Sequence, residues 1–438
     1  MGKLYLGVGR EVITPEVGGN LYGYSDSLYS TSVHDDLTAC AMAFKCDKKE
    51  FILISCTLCS ISMILSEKIR REVAKISEVP FENIMITCTH THSGPPVADS
   101  AGWGNADMGY YNDILLPGIL KAVTSAIKAR TSVKMGVGTT ESKVGINRMA
   151  CDMDDNITLG QCPYGIYDPT MTVISFCNKK NEPVLNIVHY GAHCTAAGAI
   201  TQISRDWAGV MTDRLEKETG AISVFFLGPE GDVGPRLSNG STAAHFTGDP
   251  DISYALEIGS VAACDAIRAY KSIKTYREET ADAVTDKVHL PYAERLSYEE
   301  AKERLENYKP SLPYENCQKK EKAWFESIIK AWENNYPVLK EKVLEQTLFR
   351  IGNVVIVPTP FELFSEIGLR LRAYSPFEHT LSLCNSNGAL AYLPSQKDLC
   401  RGGYEIFQFK TTGIQPLADD TDKNLIRENI RIMEMFKA

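Results

Sequence analysis

Apolar runs of five to seven residues alternate along the chain with longer stretches whose apolar positions recur every three or four residues. Runs at Phe51–Ser55, Asn83–Thr89, Thr172–Phe176, Leu185–Tyr190 and Ser223–Leu227 have the length and content of buried strands. Between them, Ile64–Ile76, Ile114–Arg130, Trp207–Thr219 and Ile252–Tyr270 have helical spacing. The alternation predicts an α/β fold: a mixed sheet core flanked by helices. The stretch at about 297–342 differs in kind. It is rich in Glu and Lys, carries Trp324 and Trp332, and is broken near Pro310 and Pro313, so it reads as a helical hairpin. A strand at Phe349–Val357 and a helix at Phe361–Tyr374 follow, so the hairpin is expected to be an insertion in a single domain spanning residues 1–438.

Composition narrows the partners. Hydrophobic residues make up 44% of the chain and charged residues 23%, the balance of an ordinary globular protein. The net charge of −9, with no dense basic cluster, argues against nucleic acid. No apolar stretch has the length of a transmembrane span, and the N-terminus lacks the apolar core of a signal peptide, so a cytoplasmic location is expected. The thirteen Cys are scattered, mostly inside apolar runs, and read as small core residues of a reducing compartment. Cys56-Thr57-Leu58-Cys59 has no second pair to complete a structural zinc site and reads as core too.

Candidate chemistry gathers at histidines. Thr89-His90-Thr91-His92-Ser93-Gly94-Pro95 places two of the eight His at the end of an apolar run, before a turn. Alternate strand residues share a face, so Ile84, Ile86, Cys88, His90 and His92 are expected to point the same way. Such a pair suits metal binding or proton transfer; a pair of capped, solvated histidines is the other reading. A second cluster, His189-Tyr190-Gly191-Ala192-His193, also follows a strand. His193, at the loop, is the better ligand candidate, and His189 reads as a core histidine.

Three further motifs are weaker. Thr359 and Glu362 have capping-box spacing with Pro360 at the first helical position, which explains Glu362 locally, although a carboxylate fixed at a helix start is also a rigid ligand. The loop Gly228-Pro229-Glu230-Gly231-Asp232-Val233-Gly234-Pro235 could offer backbone N–H groups to an anion, but a tight turn explains its glycines equally well. Gly7-Val8-Gly9 lacks the third glycine of a dinucleotide fingerprint, since Val12 stands there. The Gly/Asn-rich loops around Tyr392 and Tyr404 read as surface or lid segments.

Taken in order, these motifs resemble the neutral (non-lysosomal) ceramidase family, in its N-terminal catalytic domain. The resemblance rests on Ile13-Thr14-Pro15, the Thr-His-Thr-His-Ser-Gly-Pro run, Gly145-Ile146-Asn147-Arg148, His193-x-Thr195 with Ser204–Gly209, Gly231-Asp232-Val233, Pro360-Phe361-Glu362, Ala391-Tyr392-Leu393-Pro394 and Gly403-Tyr404-Glu405. It implies one zinc ion per chain, held by His90, His193, Glu362 and Tyr392. It further implies that His92 transfers a proton or orients a carbonyl, that Arg148 and Tyr404 hold substrate or an oxyanion, and that His34, Asp232 and Gly234 lie along the substrate.

The chain departs from the family pattern in four places. Gly234 stands where the family has an active-site Ser, Cys194 follows His193 in place of Pro, and Phe361 replaces a Gly. The C-terminal immunoglobulin-like domain of the family has no counterpart before Ala438. The expected function is therefore zinc-dependent hydrolysis of an N-acyl amide by zinc-activated water, on a small-molecule or lipid-like substrate that need not be ceramide. An esterase on the same site, or a non-catalytic metal- or ligand-binding homologue, is the alternative, and self-association is left open.

Overall fold

A computed structural model describes residues 3–238 and 250–437. Its largest element is an eight-stranded sheet of β1 (Leu4–Val12), β2 (Thr38–Cys46), β3 (Lys49–Cys56), β4 (Ile84–Cys88), β5 (Thr131–Glu141), β6 (Thr170–Asn178), β7 (Pro183–Tyr190) and β8 (Ile222–Leu227). The order across it is β8-β7-β6-β5-β1-β2-β3-β4. The outermost pairings, β7–β8 and β3–β4, are parallel and the five inner ones antiparallel.

Both faces of this sheet are covered, which is why its strands read as near-continuous apolar runs. On β2, Ala39, Ala41 and Ala43 face one way while Cys40, Met42 and Phe44 face the other, and all six are buried. Helices α1 (Met63–Ser77), α2 (Leu116–Lys128), α3 (Asp206–Thr219) and α4 (Ile252–Lys271) cover the first face. Gly7 and Gly9 let α2 lie directly on β1: a Cβ on them would come within 1.9 Å of the Ala126 carbonyl and 2.1 Å of the Ala122 carbonyl. These glycines serve packing, not a nucleotide.

A second sheet covers the other face. It contains β9 (Ala281–Pro291), β10 (Glu341–Ile351) and β11 (Val354–Pro358); after the short strand β12 (Phe361–Leu363) comes its fourth member, β13 (His379–Leu383), and the order is β9-β10-β11-β13. Phe44, Phe51, Phe176 and Phe226 meet Phe349, Ile356 and Leu381 between the sheets, with Phe51 and Phe349 rings 5.3 Å apart. The hairpin of α5 (Tyr298–Glu306) and α6 (Glu315–Glu333) sits in the connection between the adjacent antiparallel strands β9 and β10. Helices α7 (Ser365–Tyr374) and α9 (Thr421–Glu434) pack behind the second sheet, with α8 (Tyr404–Lys410) between them in sequence. The expected mixed sheet flanked by helices is therefore present, with a second sheet layered on it. No helix among the described residues is long and apolar enough to cross a membrane.

Two expected elements differ. Phe349–Val357 is not one strand: Gly352 turns at φ +56° and divides it into β10 and β11, which pair with each other. Phe361–Tyr374 is not one helix. Its first three residues form β12, paired in parallel with β14 (Ala391–Leu393), and the helix begins only at Ser365. No capping box forms, because Phe361–Leu363 is strand; the Thr359 hydroxyl donates to the Leu383 carbonyl. A ladder to a segment thirty residues away overrides the local helix signal, as tertiary pairing commonly does.

Candidate metal centre

Strand β4 stops at Cys88, so the face shared by His90 and His92 does not come from strand alternation. His90 adopts φ +66°, a left-handed conformation uncommon for a side chain-bearing residue. Its amide donates to the Leu58 carbonyl, and Thr91 forms a parallel bridge with Cys194. That bridge lays the loop after β4 beside the loop after β7 and brings His90 and His92 to His193. The motif Ser204–Trp207 clamps both loops. Thr91 Oγ1 donates to the Ser204 carbonyl at 2.7 Å, and Trp207 Nε1 donates to the His193 carbonyl at 2.8 Å. All three histidines are buried, which removes the reading of solvated, capped side chains.

The other two ligand candidates arrive on the β12–β14 ladder, where Glu362 is the register partner of Tyr392. Leu390 N donates to the Pro360 carbonyl and Gly231 N to the Leu363 carbonyl, which docks the ladder against the loop after β8. Glu362 Oε2 thereby lies 3.2 Å from His193 Nε2 and 3.5 Å from His90 Nε2. Tyr392 Oη lies 3.3 Å from His193 Nε2.

The ring protons can be assigned from the partners of the opposite nitrogens. His193 Nδ1 has carbonyl oxygens at 3.0 Å (Glu230) and 3.1 Å (Val233), so it carries the proton. His90 Nδ1 lies 3.0 Å from the Cys59 carbonyl and is likewise the donor. The Nε2 lone pairs of both rings then face Glu362 Oε2, an acceptor opposite acceptors, and that buried oxygen receives no hydrogen bond. A cation among these atoms satisfies all of them at once. Fixing imidazole through a backbone carbonyl on its far nitrogen is how metal-binding histidines are held.

Electrostatics favour the same state. Burial, reinforced by Arg148, pushes His193 down to about 3. Burial and the neighbouring His90 lower His92 well below its usual value. Burial opposes charge on Glu362 as well, but positive charge at the positions of His90 and His193, which a bound cation would supply in place of ring protons, holds the carboxyl well below the usual range. Glu230, fully buried nearby, is pushed well above that range by burial and by Glu362. Two neighbouring carboxyls are thus set apart, one charged and one neutral. Neutral imidazoles with one carboxylate and one phenol are a donor set that suits zinc.

The model of the neutral/alkaline non-lysosomal ceramidase N-terminal family matches residues 4–247, more than half of the 438 residues. This chain belongs to that family. Neutral ceramidases A and B of Dictyostelium discoideum are each 29% identical to it, over 171 and 169 residues, 35% of this chain. The matched stretch spans 24% of the length of those relatives. The crystal structure of neutral ceramidase from Pseudomonas aeruginosa superposes with a TM-score of 0.76 at 17% identity, over 100% of this chain and 75% of that one. A ceramidase complexed with C2 gives a TM-score of 0.75 at 17% identity, over 100% of this chain and 76% of that one. What these two structures share with this chain is the fold.

Within this ceramidase-family fold the remaining expected site residues fall into three groups. Arg148 and Tyr404 join the centre. Arg148 is buried, donates to Glu405 Oε1 at 2.8 Å and to Tyr392 Oη at 2.9 Å, and so holds Tyr392 rather than lying free for a substrate. The Tyr404 ring packs edge-on against Tyr392 at 5.8 Å. Asp232 and Gly234 lie behind it. Asp232 accepts from Ser365 N, Ser365 Oγ and Asn147 Nδ2, which engages both its oxygens in fixing loops, and Gly234 pairs with Ile146. His34 stands apart: it is exposed, 3.9 Å from Asp35, and does not line the cavity at the centre.

Of the two readings of the glycine-rich loop, the structure supports the tight turn and not the anion cradle. The Gly228, Gly231 and Val233 amides all donate to backbone carbonyls, and the loop's contribution is the Glu230 and Val233 carbonyls that orient His193. His189, by contrast, is the core histidine expected, with Nε2 2.9 Å from the Ser382 carbonyl.

Five contributors carried little readable signal. Asn385 Nδ2 lies 3.1 Å from His90 Nδ1 and 3.3 Å from Glu230 Oε1. Cys59 Sγ lies 3.6 Å from His90 Nδ1, and its Cys-x-x-Cys spacing was the one available hint. Glu405 anchors Arg148. Gly23, at φ +124°, lies so close to the His92 ring that a Cβ would fall 2.4 Å from Nδ1, and Tyr24 stacks edge-on 4.9 Å from that ring.

Proposed function

We propose that this chain is a metal-dependent hydrolase of an N-acyl amide bond, with one zinc ion held by His90, His193, Glu362 and Tyr392. The convergence of two Nε2 lone pairs on a carboxylate oxygen that receives no hydrogen bond carries this reading. Bound there, zinc would supply Lewis acidity to a water and to the scissile carbonyl.

The chain's own residues do the rest. His92 Nε2 lies 3.2 Å from His90 Nε2, and its Nδ1 is buried without a hydrogen-bond partner. Neutral and water-poor, His92 is placed to accept a proton from attacking water and return it to the departing amine. Arg148, fixed by Glu405, keeps its positive charge against Tyr392 and adds positive potential where a carbonyl oxygen would gain charge. Gly234 offers no hydroxyl, which leaves direct attack by water as the simpler course. An ester could be cleaved by the same groups.

Metal analysis of the purified protein, with activity on matched amide and ester substrates, tests the proposal. About one zinc per chain and turnover of the amide are expected. Absence of any bound transition metal, with no gain on adding zinc, would sink it. His90→Ala is expected to lose metal and activity together, whereas His92→Ala keeps the metal and loses rate.

A further inference from the structure

The centre opens into a cavity of about 450 Å³, the size of a small-molecule site. His90, Glu362 and Tyr392 line one part of it; Lys320, Trp324 and Ser327, from the inserted hairpin, line another. Lys319, Lys320 and Lys322 leave α6 in different directions. Lys319 turns outward to Asp26 and Glu315 at 3.6 and 3.2 Å, and Lys322 lies over the Tyr308 ring at 4.7 Å. Lys320 points into the cavity, and its ammonium donates to the amide oxygen of Gln408.

Among the described residues no carboxylate forms an ion pair with Lys320. The cavity's two acids are engaged elsewhere: Glu362 faces the histidines, and Asp99, at the exposed rim, accepts from Ala106 N. A half-buried cation held by one neutral acceptor gains from an anion that joins it. Burial lowers this amine only to about 8, so it remains charged at neutral pH. The surrounding wall is mixed, with Trp103, Trp324 and Leu390 beside Ser327, Thr411 and Gln408.

We infer that Lys320 recognises a carboxylate on the substrate, so that the amide cleaved belongs to an N-acyl amino acid or to the monoamide of a dicarboxylic acid. This rests on the hydrolase reading above and specifies its substrate class. The carboxylate would pair with Lys320 and Gln408 while the amide carbonyl lies at the histidines. Hydrolysis then breaks the C–N bond, adds water across it and leaves a carboxylate and an amine, with no other reactant.

The test compares three probes of equal length on the zinc-loaded enzyme: an N-acetyl amino acid, the monoamide of a dicarboxylic acid, and the methyl ester of the first, which removes its charge. One or both anionic probes should be preferred, and which one reveals the half that carries the charge. Lys320→Met should raise KM for the preferred anion about 10- to 100-fold, the range for hydrogen bonds to a charged group. It should leave kcat and the neutral probe nearly unchanged, and Lys320→Arg should restore KM in part.

Equal turnover of neutral and anionic probes, unaltered in Lys320→Met, overturns the inference while the hydrolase reading stands. If no probe is cleaved and no metal is retained, the hydrolase reading has failed instead. Calorimetry of wild-type protein with acetate-bearing and alcohol-bearing analogues keeps the inference testable even if Lys320→Met does not fold. Tighter binding of the carboxylates supports it; carboxylates that bind no better than the alcohols overturn it.

Discussion

His90 and His193 stand on loops that leave β4 and β7, strands of the eight-stranded sheet buried on both faces. Glu362 and Tyr392 face each other across a ladder only three residues long. The histidine half inherits its rigidity from the core, and backbone carbonyls set its ring protons. The carboxylate half has little ladder of its own and depends on what docks it: the Gly231 amide on one side and the Arg148–Glu405 pair on the other. One centre is thus held by two different kinds of support, and only the first is written in continuous sequence.

Substitutions can break this comparison at its strongest point first. His193→Ala and Glu362→Ala are both expected to drop bound metal and activity to background, by at least about 100-fold, since even residues that merely orient ligands cost 10- to 100-fold. If Glu362→Ala retained metal by elemental analysis while His193→Ala lost it, the ladder would not belong to the centre.

Arg148→Met comes next. It leaves the Glu405 carboxyl buried without its partner and removes the donor to Tyr392, so urea unfolding should show a loss of about 3–5 kcal/mol. A loss below about 1 kcal/mol, the size of a surface ion pair, would mean that the pair does not hold the ladder.

The core side of the comparison has its own probe in His189, which burial lowers from 6.5 to about 4. It folds neutral, and between those values the unfolded chain binds more protons. Stability therefore falls as pH drops from 6.5 to 4, by about 3 kcal/mol from this group. His189→Gln should flatten that part of a pH series of unfolding midpoints, and an unchanged slope would count against it.

The smallest effect is expected at Gly23→Ala. Its positive φ and the nearby His92 ring should cost about 1–3 kcal/mol. A fall in kcat with metal retained would mark His92 as the group displaced; an unchanged kcat would relieve Gly23 of any positioning role.

Sequence periodicity alone determined the α/β class, most strands of the large sheet and the helices on its first face. Burial on both sides produces apolar runs, and burial on one side produces helical spacing, whatever the partner. The histidines were legible because each ends such a run, and the difference between His189 and His193 followed from one lying inside the strand and one beyond it. The strands β1, β2 and β5 were not identified: β1 and β5 carry glycines where helices press on them, and β2 lies in an Ala- and Cys-rich run of weak β preference.

What only the tertiary structure decided is which distant segments meet. Thr359, Pro360 and Glu362 satisfy every local rule for a helix start, yet the pairing with Ala391–Leu393 makes Glu362 part of a strand and places it beside Tyr392. The charge run at Lys319–Lys322 says nothing of which lysine turns inward, and the packing of the hairpin against α8 aims Lys320 at the cavity. Local patterns report how deeply a residue is buried. Ladders and docked helices are chosen by competition among contacts far apart in the chain, and that competition brought one carboxylate, one tyrosine and one lysine to the histidines.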